Sequence, residues 1–166
     1  IGMYNGLIRL RNRVKEAWSD IDVQLKRRYD LIPNLVETVK GYMRHEKQVL
    51  TEITKARTQL QQATTLDKKA KASNMITESL KTIFAVAENY PQLKANENFL
   101  GLQEELSGTE SKIAYARQAY NDACLSLENA VESFPTNILA NMFKFAKKEM
   151  FVASEGERKP VKVSFS

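Results

Sequence analysis

Turn-forming residues are scarce in this sequence. Four prolines and six glycines in 166 residues leave few places to reverse the chain, so the elements between them must be long, and long elements here mean helices. The glycines are scattered, which excludes a glycine-rich phosphate loop. The single cysteine, Cys124, excludes an internal disulfide. The single histidine, His45, precedes Glu46, but position 49 is valine, so the His-Glu-x-x-His zinc pattern fails. Tyr42 stands three residues before His45, which removes the Glu-x-x-His pair of di-iron bundles as well. No run approaches the roughly 20 apolar residues of a membrane span. The aromatics do not interleave with the basic residues as a base-stacking platform requires, so nucleic acid is not an expected partner.

What is present is charge, unevenly spread. The net +5 resolves into 12 lysines and arginines against 7 acids over residues 1–62, 7 against 10 over 63–134, and 6 against 3 over 135–166. Arg9, Arg11, Arg13 and Lys15 all precede the first acid, Glu16. Such a cluster suits a solvated helix face, an anionic surface, or the flank of a membrane anchor. The opening Ile1-Gly2-Met3-Tyr4 places a methionine third and reads as a start downstream of a removed segment.

Apolar residues recur at helical spacing almost throughout. Leu7, Val14 and Ile21 form one heptad series; Tyr4, Trp18, Leu25 and Ile32 form a second, with Arg11 interrupting. Together they predict a bundle helix over about 3–29. Asp30 offers an N-cap and Pro33 a first-turn proline, so a break and reversal is expected there; one helix kinked at Pro33 is the alternative. A second helix is expected from Leu31 to about Gln62, with Gly41 tolerated inside it where another helix comes close. Thr65 or Asp67 caps a third, running to about Asn89 and stopped by Tyr90-Pro91. The fourth and longest begins near Leu93 or Asn96 and ends at Phe134-Pro135. A short amphipathic piece follows, with Ile138, Leu139, Met142, Phe143 and Phe145, and caps the bundle end or touches a bilayer; capping is the preferred reading. The fold expected is all-α: an elongated, antiparallel, up-and-down four-helix bundle over residues 3–145 with a short C-terminal helix, then a loosely packed tail over 146–166.

Nothing in the sequence assembles a catalytic set. Cys124 falls near the apolar stripe of the fourth helix and reads as a small packing residue. No cofactor and no metal are expected. The informative polar residues are those close to the stripes: Asn12, Asp22, Arg27, Arg28, Asp30, Asn34, Asn96, Asn98, Glu110, Arg117 and Asn121. Buried polar residues in a bundle fix register and pairing, and a binding groove would use similar ones. Arg27, Arg28, Asp30 and Asn34, around the expected break, are the candidate interaction or structural cluster.

Several strings in the chain resemble the LemA family of bacterial and archaeal membrane-anchored proteins. They are Tyr4-Asn5, Ala17-Trp18-Ser19 with Ile21-Asp22, and Lys26 to Glu46 nearly entire. Further along come Glu88-Asn89-Tyr90-Pro91, Leu93-Lys94-Ala95-Asn96, Phe99 with Leu102-Gln103, Glu105-Leu106, Thr109-Glu110, Ala116-Arg117, Tyr120-Asn121 and Phe134-Pro135. The resemblance spans about residues 4–145. At Lys144 the chain departs from it, where the family pattern has glycine, and the tail after Phe151 matches loosely. The resemblance implies a helical bundle behind a single N-terminal transmembrane helix, absent from this chain, with no established enzymatic activity, cofactor or catalytic residues. An anchor just before Tyr4 would bring Arg9–Lys15 under the positive-inside rule and put the bundle on the cytoplasmic face of the cell membrane. The function expected is therefore a membrane-tethered helical domain that binds or scaffolds a protein partner, itself unidentified. The alternatives are an enzyme or metal protein with an unrecognised site, and a self-assembling homo-oligomer.

Overall fold

A computed structural model describes residues 1–148 of the chain. Its described residues are all-α, in the order α1 (Gly2–Lys40), α2 (Lys47–Gln62), α3 (Leu66–Ala87), α4 (Pro91–Lys94), α5 (Glu97–Glu132) and α6 (Thr136–Met142). Contacts across the helices set their directions. Trp18 meets Tyr120, Arg27 meets Glu105 and Tyr42 meets Asn96, so α1 and α5 run antiparallel. Arg57 reaches Tyr29, so α2 descends beside α1, and Asp22 with Lys69 then Arg28 with Thr77 make α3 ascend parallel to it. The four long helices thus go up, down, up and down. At 1.5 Å per residue α1 is about 58 Å long, roughly twice the reach of α2 and α3. The α2–α3 hairpin therefore covers only the half of the α1–α5 pair near the α1 C-terminus.

The seam of α1 consists of Leu7, Val14, Ala17, Ile21, Leu25, Arg28, Ile32, Leu35 and Val39, all buried. The stripe passes through Pro33 without a change of phase, and so does the helix. The break expected at Asp30–Pro33 is not there, and α2 does not begin at Leu31. Two facts account for this. A reversal at Asp30 would have taken Ile32, Leu35 and Val39 off a seam they continue in phase. And the carbonyl that a proline orphans has a partner: Pro33 has no N–H to give Tyr29 four residues back, and the Nε of Arg57 in α2 donates to that carbonyl at 2.9 Å. The Arg57 guanidinium also lies over the Tyr29 ring, 3.7 Å from its centre, a cation–π contact. Asp30 caps nothing; it pairs with Lys26 one turn back at 3.0 Å.

The reversal comes at residues 41–46 instead. Gly41 does not sit in a helix interior against a neighbour: it ends α1 with ordinary right-handed dihedrals (φ −70°, ψ −25°), and a Cβ there would meet nothing within 4 Å. The other boundaries follow their caps. Thr65 accepts from the Lys68 N–H at 3.3 Å to start α3, and Asn96 accepts from the Phe99 N–H at 3.1 Å to start α5, each filling one of the free donors of a helix N-terminus. Tyr90-Pro91 separates α3 from the single turn α4, with proline in its first turn.

At the other end of the molecule α6 packs on the start of α1. Ala140 is buried, Tyr4 stacks at 4.7 Å on Phe143, and Arg11 lies 5.2 Å from the Phe145 ring centre. These contacts are those of a bundle cap. Lys144, just after α6, is a non-glycine residue with positive φ, 56°. The tail expected over 146–166 lies, from residue 149 on, outside the described residues.

Candidate functional site

Where α1, α3 and α5 meet, the chain buries an arginine. Arg28 is 1% exposed. Its Nη1 donates to the Ser73 carbonyl and the Ser73 Oγ, both at 3.3 Å, and to the Thr77 Oγ1 at 3.0 Å. Its Nη2 lies 3.6 Å from Oε2 of Glu110, an ion pair without hydrogen-bond geometry, and neither Nη2 nor Nε has a hydrogen-bond partner among the described residues. Burial pushes the guanidinium pKa below its ordinary value, opposed by the negative charge of Glu110. A polar cavity of about 120 Å³ lies alongside, reached also by Asn74, Glu78 and Lys81. A charge buried in this way disfavours every register that would part it from Glu110, Ser73 and Thr77.

The four residues singled out around the expected break do not come together. Arg27 points to the α5 side, half exposed, 3.9 Å from Glu105. Asp30 is on the surface with Lys26. Asn34 is exposed, and its carbonyl accepts from the Thr38 hydroxyl at 2.8 Å. Arg28 alone of the four enters the core. Its partners Ser73 and Thr77 were missed from the sequence, and so, elsewhere along α1, were Arg57 beside Tyr29 and Lys69 beside Asp22. Lys69 pairs with Asp22 at 2.9 Å and sits 5.1 Å from the centre of the Trp18 ring, which itself lies 5.7 Å from Tyr120. The signal for Arg57 was Pro33, since an interior proline announces an orphaned carbonyl. Ser73 and Thr77, four apart, are the matching signal for Arg28, visible only once α3 is known to pass it.

A larger and quite different feature follows the outside of the elbow. A groove of about 1040 Å³ runs between the last turns of α1 and the first of α2. Half-buried Val36 and Leu50 form its apolar floor over the fully buried Met43, and Lys40, Arg44, His45, Lys47 and Lys55 surround them. Thr51, Thr54 and Thr58 line the α2 wall, but their hydroxyls donate to the carbonyls of Lys47, Leu50 and Thr54 at 2.8, 2.9 and 3.1 Å. With the hydroxyls turned into the helix, the row offers methyl groups. None of the lining residues is acidic. Lys40 is paired with Glu37 at 3.2 Å, whereas Arg44, Lys47 and Lys55 make no ion pair among the described residues.

The remaining candidates are placed simply. Cys124 is buried on α5, and burial pushes its thiol pKa up. His45 is exposed on the groove wall, and among the described residues no three His, Cys, Asp or Glu side chains are grouped to share a metal ion.

Comparison with known proteins adds a family to this geometry. The protein LemA of Metamycoplasma hominis is 29% identical over 166 residues, which takes in 99% of this chain and 75% of that protein. The LemA family matches residues 17–165, a stretch holding the buried arginine, the interior proline with its partner on α2, and the elbow groove. The chain belongs to the LemA family.

Proposed function

We propose that this chain is the helical domain of a membrane-tethered protein and that it binds or scaffolds protein partners. One observation carries the binding reading. The elbow groove is a broad concavity in which half-buried Val36 and Leu50 lie among cations, of which Arg44, Lys47 and Lys55 make no ion pair among the described residues. Concave apolar surface with a polar surround is what interaction sites present, while a helix surface kept only for solubility has no use for it. The tether rests on the resemblance to membrane-anchored proteins. No helix among the described residues is long and apolar enough to cross a membrane. With an anchor just ahead of α1, Arg9, Arg11, Arg13 and Lys15 favour the cytoplasmic side.

Crosslinking of the full-length protein in its own cells tests the reading, with the crosslinked residues mapped by mass spectrometry. Reproducible crosslinks to a partner protein are expected. Crosslinks confined to lipid, or none above background, would reject partner binding. Accessibility of a tag at the bundle end to a membrane-impermeant reagent decides the side; labelling from outside the cell would reverse the orientation.

A further inference from the structure

We infer that the elbow groove receives an acidic amphipathic helix of a partner protein, with apolar residues on the groove floor and carboxylates against Arg44, Lys47 and Lys55. The inference rests on the partner-binding reading and adds the chemistry of what is bound.

Shape comes first. The groove lies between two antiparallel helices joined by a short elbow, and the space between two such helices is the shape that accepts a third. A bilayer surface is flat and would leave a concave floor uncovered. The floor of half-buried Val36 and Leu50, widened by the methyls of Thr51, Thr54 and Thr58, asks for an apolar stripe. Nucleic acid presents none.

Charge then selects the sign. Six of the eleven described lysines outside the groove are matched by an acid: Lys26 by Asp30, Lys69 by Asp22, Lys71 by Asp67, Lys81 by Glu78, Lys94 by Glu88 and Lys147 by Glu128. Arg44, Lys47 and Lys55 have no such match. Three cations without counter-charge around an apolar floor attract a partner whose flanks are Asp and Glu, and repel one whose flanks are Lys and Arg. The chain's own last residues do not meet that description. Residues 149–166 carry Glu149, Glu155 and Glu157 against Arg158, Lys159 and Lys162, an even balance.

The test uses the whole chain and a fluorescent peptide about 20 residues long with leucines at i, i+3, i+4 and i+7 and glutamates on its flanks. Two controls accompany it, one with the same composition scrambled off the helical period and one with lysine flanks. Fluorescence anisotropy is expected to show binding of the acidic amphipathic peptide that weakens as salt is raised. The combined variant Arg44→Glu, Lys47→Glu, Lys55→Glu is expected to bind it at least about tenfold more weakly and to gain affinity for the lysine-flanked peptide. That gain excludes misfolding as the cause of the loss. Equal binding of the scrambled acidic peptide would overturn the inference, since bare polyanion attraction would then suffice. So would charge-dependent binding of phosphatidylglycerol vesicles or a single-stranded oligonucleotide without binding of the peptide. Self-association abolished by the variant, with no peptide binding, would assign the groove to a second copy of the chain and overturn it too. A cellular partner crosslinked to another face would leave partner binding standing and remove only this occupant.

Discussion

Replacing Glu110 with glutamine leaves the Arg28 guanidinium buried without its counter-charge. Loss of one member of a fully buried pair costs about 3–5 kcal/mol, but Glu110 is 38% exposed, so about 2 kcal/mol is expected from urea denaturation. Glu105→Gln, which breaks the half-exposed contact with Arg27, should cost less than about 1 kcal/mol. Equal losses would mean that Arg28 does not depend on Glu110. A second residue runs the other way. Lys144 holds a left-handed conformation, φ 56°, that costs an L-residue roughly 1–2 kcal/mol and glycine almost nothing. Lys144→Gly should therefore stabilise the protein, by about 0.5 kcal/mol or more after the extra freedom of glycine in the unfolded chain is counted; a lower melting temperature would contradict this. The left-handed backbone at Lys144 was not legible in the sequence, because such an angle has no signature where no glycine announces it. Arg28 was legible as a polar residue near a stripe. That it enters the core while Arg27 does not follows from a rotation of about 100° per residue on a continuous helix, which the expected break at Asp30 had obscured.

Pro33 is where local rules and tertiary structure disagree. Read locally, an Asp-x-x-Pro sequence starts a helix. In the fold the proline is interior, and its cost falls on the Tyr29 carbonyl, which Arg57 relieves from another helix. The two residues should therefore be coupled. Arg57→Ala is expected to destabilise the protein by about 1 kcal/mol more when Pro33 is present than in a Pro33→Ala background, where an N–H returns to the carbonyl. Additive changes in a double-mutant cycle by chemical denaturation would refute the coupling. Elements whose ends are marked by their own side chains were narrowed to two candidates each: Thr65 rather than Asp67 opens α3, Asn96 rather than Leu93 opens α5, and Tyr90-Pro91 lies between them as expected. The elbow at 41–46 was invisible because its glycine adopts helical dihedrals and packs against nothing. The groove beside it was hidden for the same reason, since a helix assumed to run from Leu31 to Gln62 cannot fold back on itself.

Taken whole, the molecule is uneven along its length. The half near the elbow has four helices in cross-section, while the half holding the chain start has α1, α5 and the short α6. Stability should follow that division, since local opening depends on how much apolar contact holds a segment. Amide hydrogen exchange is expected to be faster over residues 2–12 of α1 than over 20–39 of the same helix, and uniform protection along α1 would contradict it. The four-helix, up-and-down, elongated architecture was readable from periodicity, because the stripes on α1 and α5 are long and regular. The unequal coverage was not, since it depends on where the elbow falls. One consequence of the packing around Trp18 remains. This is the only tryptophan in the chain, and it stands where α1 meets Tyr120 of α5 and Lys69 of α3. Excited selectively, a lone indole at that junction makes the α2–α3 hairpin's departure from the α1–α5 pair visible as a change in emission. The native chain thus carries its own optical gauge of docking, with no label attached.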